Sequence, residues 1–237
     1  MMKAGLQVDA LPGLTRGYRL LDARGLEREV IYQENFIDAE ACDTLIRCFE
    51  ANAERLHRMP GEDKFFDGRF INFGHIPATE RPAKAIMQAA RRRIAAALQR
   101  FYGETEPLYS DTIQLVKWDR GQPMPPHMDN AHPDGAPHPT PHREFASVVY
   151  LNDDFLGGYL YFDRLKLALA PRKGALVAFR GGAAHRHGIT EVLDGVRYTM
   201  PAWSRSPPAV NWAAPRSARR PSAAGRSRRG GRRRAWR

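Results

Sequence analysis

The sequence predicts a mostly β domain, a sandwich or jelly roll, with helices supporting one face. Three observations predict it. Residues 38–101 carry two runs with apolar residues at helical spacing. After Gly103 the pattern changes to eight short apolar segments parted by Gly and Pro. A chain of 237 residues that is 43% hydrophobic suits one domain with additions and can bury a sizeable core.

Residues 1–28 are mixed and punctuated by Gly and Pro, and are set apart as an N-terminal extension. Glu29–Phe36 reads as a strand. Asp38 is placed to cap a helix over 39–52, with Ala41, Leu45, Cys48 and Phe49 on one stripe. FFDGRFINF, 65–73, reads as a short hairpin or an ordered loop. Thr79 can cap a second helix that tolerates Pro82 in its first turn and runs to about Phe101, with Ile86, Ala90, Ile94 and Leu98 inward. The strand segments are 111–118, 126–129, 145–151, 158–163, 166–170, 175–180, 184–188 and 196–203. Two helices followed by eight strands give helices segregated against a β body. Asn152-Asp153-Asp154 and Gly157-Gly158 are turn material. Residues 130–143, a Pro- and His-rich loop, are long for a turn between strands, which marks them as functional.

Net charge is +11, a value that suggests nucleic acid until it is located. Residues 205–237 hold eleven Arg and no acidic residue, so the rest of the chain carries 26 basic against 26 acidic groups. The body is neutral and the excess is one tail. That tail, lacking large apolar runs, is expected to be disordered, with weak binding to nucleic acid or acidic surfaces by charge alone. Cys42 and Cys48, six apart on one predicted helix, cannot reach each other for a bridge. With no apolar run long enough to span a membrane and no signal-like start, the expected setting is reducing and cytoplasmic.

The chemistry concentrates in His127-Met128-Asp129. On a strand, i and i+2 face the same way, so one imidazole and one carboxylate converge. A second histidine sixty positions on, His187, would complete two histidines and one carboxylate with coordination positions left open. That set is the facial triad of non-heme Fe(II) oxygenases. His185 shares a strand face with His187 if the segment is regular, so either can supply the third ligand. Arg197 follows His187 by ten positions in an alternating strand, where Arg197, Thr199 and Trp203 share one face. Trp203 reads as a packing residue.

IQLVKWDRGQPMPPHMDN, SVVYLNDDFLGGYLYF, PRKGALVAF and HGITEVLDGVRYTMPAW, between Ile113 and Trp203, together resemble the Fe(II)/2-oxoglutarate-dependent dioxygenase superfamily, in its prolyl 4-hydroxylase-like branch. The resemblance implies a double-stranded β-helix, or jelly roll, with N-terminal helices packed on one sheet. It implies Fe(II) held by His127, Asp129 and His187, the following Gly188-Ile189-Thr190 and the spacing to Arg197 favouring His187 over His185. It implies 2-oxoglutarate as cosubstrate, its far carboxylate on Arg197 and Tyr150, with Thr199 assisting and ascorbate a candidate addition. A guanidinium suits that carboxylate because its planar fork makes two parallel hydrogen bonds. Trp118 and Met124 stand where many relatives carry tyrosine, which implies a more apolar cosubstrate pocket.

The activity so implied is hydroxylation of an unactivated C–H by O2, of a peptidyl or amino-acid-like substrate, with 2-oxoglutarate leaving as succinate and CO2. The aspartate ligand disfavours halogenation. Two other classes compete: a non-catalytic barrel that senses metal or 2-oxoglutarate, and a nucleic-acid binder acting through its Arg-rich tail. Metal-dependent breakdown of 2-oxoglutarate separates the first from an enzyme. Salt-sensitive binding that disappears with residues 205–237 identifies the second.

Overall fold

The structure, a computed structural model, describes residues 14, 17–21, 29–56, 68–170 and 172–207. Two helices precede the main run of strands. Helix α1 (Ala39–Ala51) opens at Asp38, whose carboxylate accepts the Ala41 N–H at 2.7 Å. It buries Cys42, Leu45, Cys48 and Phe49. The cap is as the sequence predicts, while the stripe turns slightly, taking Cys42 in place of Ala41. Replacing Asp38 with alanine is expected to cost about 1 kcal/mol and to lower the melting temperature by about 2–4 °C, measurable by calorimetry.

Helix α2 (Arg81–Tyr102) starts one residue later than a Thr79 cap allows. Glu80 stands at its cap without a side-chain bond, and Thr79 contributes its carbonyl to the Arg81 N–H instead. Gly103 ends the helix in the left-handed region at φ +69°, a conformation that a Cβ would penalise. Ala83 and Met87 lead the buried stripe into Ala90, Ile94 and Leu98, and Ile86 lies to one side.

Thirteen strands are described: β1 (Arg19–Leu21), β2 (Val30–Gln33), β3 (Phe70–Asn72), β4 (Tyr109–Trp118), β5 (Met124–His127), β6 (Phe145–Tyr150), β7 (Leu156–Gly157), β8 (Leu160–Phe162), β9 (Leu167–Leu169), β10 (Leu176–Arg180), β11 (His187–Ile189), β12 (Val192–Asp194) and β13 (Arg197–Arg205). A six-stranded sheet runs β2-β10-β6-β13-β4-β3, and a five-stranded sheet runs β1-β9-β8-β11-β5. β7 and β12 form a small pair of their own. All described pairings are antiparallel except β1 with β9.

Alternation along the long strands sorts side chains into two cores. On β13, Met200 and Ala202 join Leu45, Met87 and Ile94 of the helices. On β6, Ala146 and Tyr150 face the other way and pack with Phe162, Leu167 and Ile189 of the smaller sheet. The result is a jelly roll with two helices laid on the outer face of the larger sheet, as the sequence predicts.

Several boundaries differ. Residues 19–21, set aside in the N-terminal extension, supply β1, a strand too short to leave a period in the sequence. The strand expected over 158–163 shortens to β8 at Leu160–Phe162, and Gly157 and Gly158, both at positive φ, part it from β7. The strand expected over 184–188 starts at His187, after a 3-10 turn over Ala183–His185. The strand expected over 126–129 ends at His127. β13 continues into Arg205, the first residue of the expected tail. The readings made for the Arg-rich tail from residue 208 onward, and for residues 65–67, fall outside the described residues. Cys42 and Cys48 are buried free thiols.

Candidate active site

His127 ends β5 and His187 begins β11, and the two are directly paired across that ladder. Their rings lie 4.4 Å apart. Both use the same local device. The His127 Nδ1 meets the Pro125 carbonyl at 3.1 Å, and the His187 Nδ1 meets the His185 carbonyl at 3.0 Å. A carbonyl can only accept, so each Nδ1 carries the proton and each Nε2 keeps its lone pair for the centre. Burial holds the His187 imidazole well below the usual histidine range, against the opposing pull of Asp129, and so keeps it neutral.

Asp129 completes the group by a route the sequence did not predict. It lies two residues past the end of β5, so strand alternation does not aim it. Its backbone is held from the loop instead, where the Thr140 hydroxyl donates to its carbonyl at 2.9 Å. The carboxylate stands 3.9 Å from His127 Nε2 and 3.7 Å from His187 Nε2. One ligand atom from each of the three residues lies within 4.8 Å of the other two, the one such cluster among the described residues. Asp129 Oδ2 is buried and has no hydrogen-bond partner. Two neutral imidazole lone pairs, one orphaned carboxylate oxygen and mutual spacings of this size fit a divalent metal. His127 is the lip of the site, its side chain 29% exposed against 10% for His187, so the centre opens on the β5 side.

His185 does not reach the centre. Its ring stacks on Phe179, and its Nε2 meets the Glu29 carbonyl at 3.0 Å. The 3-10 turn breaks the alternation that would have put it beside His187. Of the loop histidines, His132 and His138 pair with each other at 4.6 Å, and His142 lies 3.3 Å from Asp111.

Below the triad the cavity is mostly apolar, with Trp118, Met124, Leu160 and Ile189 among its walls. Arg197 is its exception. Its guanidinium is 1% exposed, and Nε, Nη1 and Nη2 all lack hydrogen-bond partners. It faces the rings of Tyr150 at 5.2 Å and Trp118 at 5.7 Å. The Tyr150 hydroxyl is also buried without a strict hydrogen-bond partner. Burial drives the Arg197 pKa down, and the neighbouring Tyr150 opposes that. A buried, unpaired cation is costly unless an anion joins it. The arrangement therefore fits a carboxylate reaching down from the triad. Thr199 is buried beside it on β13, in register with Tyr150 on β6 and Val116 on β4. Tyr150 packs against the guanidinium from the core, while Trp118 and Thr199 line the cavity.

Two further residues matter in ways the sequence reading did not assign. Trp203 donates its indole N–H to Asp129 Oδ1 at 2.9 Å, so it is more than packing. Gly158 was read as turn material. A Cβ there would stand 2.8 Å from Arg197 Cδ, at a φ of +61°. Its signal was the Gly-Gly pair itself, since a second glycine beyond the needs of the turn marks close approach by another chain segment. Changing Gly158 to alanine is expected to cost about 1–2 kcal/mol from the left-handed backbone alone. It should also displace Arg197 and weaken 2-oxoglutarate binding, which melting curves with and without that ligand will separate.

Residues 113–205 match the sequence model of the 2OG-Fe(II) oxygenase superfamily. Prolyl 3-hydroxylase 3 of Mus musculus is 29% identical over 144 residues, which is 52% of this chain and 20% of that protein. The chain thus spans about a fifth of the length of that relative. Among solved structures, the viral collagen prolyl hydroxylase of Paramecium Bursaria Chlorella virus-1, in its 2OG complex, aligns with a TM-score of 0.57 at 17% identity, over 76% of this chain and 97% of that one. A prolyl hydroxylase from Trichoplax adhaerens, in complex with a hypoxia inducible factor peptide fragment, aligns with a TM-score of 0.58 at 13% identity, over 76% of this chain and 84% of that one. These likenesses give the fold, and over residues 113–205, which hold the strands that carry His127, His187 and Arg197, the chain is similar to the 2OG-Fe(II) oxygenase superfamily, a likeness that implies Fe(II) and 2-oxoglutarate as cofactors.

Proposed function

We propose that this chain hydroxylates an unactivated C–H of a peptidyl substrate, with 2-oxoglutarate converted to succinate and CO2. The observation that carries the reading is the pairing of two unsatisfied features in one cavity: a carboxylate oxygen orphaned between two imidazoles, and a buried guanidinium with no acidic partner and only the Tyr150 hydroxyl beside it. Each feature is costly alone, and each is satisfied by the same cofactor pair.

In this reading His127, Asp129 and His187 hold Fe(II). Arg197 grips the far carboxylate of 2-oxoglutarate, Tyr150 offers its hydroxyl to the same group, and Thr199 and Trp118 border it. Bound Fe(II), with 2-oxoglutarate and O2, supplies the oxidation of the C–H bond. The protein's part is to orient and to keep water out. The apolar walls around Met124, Leu160 and Ile189 exclude solvent, and the fixed Nδ1 protons keep both imidazoles aimed inward. Substrate enters over the exposed edge of His127, beside the loop 130–143. A peptide is supported by the names of the relatives and by the peptide fragment bound in the Trichoplax structure.

The test is succinate formation by purified protein with Fe(II), 2-oxoglutarate and O2, followed by mass spectrometry of proline-containing peptides for gain of one oxygen. Iron-dependent succinate with oxygen gained on a peptide supports the reading in full. Succinate formation coupled instead to a free amino acid would move the substrate class, and metal and 2-oxoglutarate binding with neither product would leave a sensor.

A further inference from the structure

A carboxylate beside a metal has two ways to bind. It can offer one oxygen, or rotate slightly and offer both, which uses up a further coordination position. A centre that must admit cosubstrate and O2 needs its positions kept open. In this site something already holds one of the two oxygens. The Trp203 indole N–H donates to Asp129 Oδ1 at 2.9 Å, an oxygen that also lies 3.9 Å from His127 Nε2, while Oδ2 has no hydrogen-bond partner and stands 3.7 Å from His187 Nε2. An indole N–H is a donor only, so it cannot reverse its role and release the carboxylate to another donor.

Trp203 is itself immobilised. Its backbone is paired with Ala146 on β6. The Arg143 guanidinium lies over its ring at 4.0 Å, and Arg143 Nε donates to Asp111 Oδ2 at 2.9 Å. The loop that supplies Arg143 also supplies the Thr140 hydroxyl to the Asp129 carbonyl. Main chain and side chain of Asp129 are therefore pinned from two directions, one in the loop and one in β13.

We infer that Trp203 is a positioning residue that holds Asp129 as a one-oxygen metal ligand through Oδ2, the inference resting on the triad reading above. The indole hydrogen bond occupies Oδ1, and the clamp of Arg143 and Asp111 keeps the indole in place.

The experiment uses Co(II), whose visible spectrum reports coordination number, on the full chain. Two variants are compared with wild type: Trp203→Phe, and replacement of Trp203 by benzothienylalanine, an isostere that lacks only the N–H. Far-UV circular dichroism checks folding, and the isostere decides the matter if the phenylalanine variant does not fold. Metal affinity is expected to fall about 10- to 100-fold, as for other partners that orient a ligand. The Co(II) spectrum should shift as the second oxygen binds, and 2-oxoglutarate should bind the Co(II)-loaded variants more weakly. Wild-type affinity and an unchanged spectrum in a folded variant would overturn the inference, even if turnover fell. Asp129→Ala separates the two layers: if it binds Co(II) as wild type does, the triad reading is wrong and the inference goes with it.

Discussion

Replacing Arg197 with methionine is expected to make the ligand-free protein more stable and to remove its grip on 2-oxoglutarate. The guanidinium is fully buried, with no acidic partner and only the Tyr150 hydroxyl near its nitrogens. Substituting a buried, poorly compensated charge with a packed apolar side chain is commonly neutral or stabilising by about 1–4 kcal/mol. Methionine can fill the stem's volume between Trp118 and Gly158 without a charge. On the other side of the balance, two charge-assisted hydrogen bonds to a carboxylate contribute about 1.5–3 kcal/mol each. Their loss corresponds to a weakening of roughly a hundred- to twenty-thousand-fold. Thermal melts with and without 2-oxoglutarate show both effects in one series: a raised baseline, and no further rise on adding ligand. Arg197→Lys keeps the charge but not the fork, and should fall between. An Arg197→Met protein that still melts higher in the presence of 2-oxoglutarate would place the anchor elsewhere.

Asp129→Ala is expected to abolish metal-dependent turnover and leave the fold in place. Removing a direct charged ligand should exceed the 10- to 100-fold loss typical of an outer partner, so a fall of at least about a hundred-fold in metal affinity is expected. The fold should tolerate it because no ion pair in the core depends on this carboxylate; its near neighbours are neutral His187, half-exposed His127 and one indole N–H. Circular dichroism and melting in the absence of metal should match wild type, while succinate production disappears. Persistence of wild-type succinate formation would remove Asp129 from the centre.

How far the site could be read from sequence depended on what fixed each residue. His127, His187 and Arg197 lie at strand positions, and their residue types at those spacings point to one chemistry. Asp129 joins His127 and His187 for a different geometric reason than the sequence suggests. It was assigned to strand alternation, but the Thr140 hydroxyl and the Trp203 indole place it, and neither contact has a period. His185 stayed an open alternative because nothing in AAHRHGI announces a 3-10 turn. Trp203 was placed on the right face by alternation, yet its bond to Asp129 depends on where a loop seventy-four residues earlier turns back. The helices were legible from their stripes and from Asp38. The smaller strands were not: β1, β7 and β12 run two or three residues and are defined by their partners.

Strand β1 has a role beyond completing a count. It pairs in parallel with β9, whose residues Leu167, Ala168 and Leu169 are all buried. Without it, β9 would be the outer strand of the smaller sheet, short, uncharged and apolar on both faces, with a free row of amides and carbonyls. Such an edge is a template for another chain. Residues 19–21 therefore act as a guard rail along β9, and a stretch set apart in the sequence as an extension shields an apolar edge of the smaller sheet from pairing with another strand.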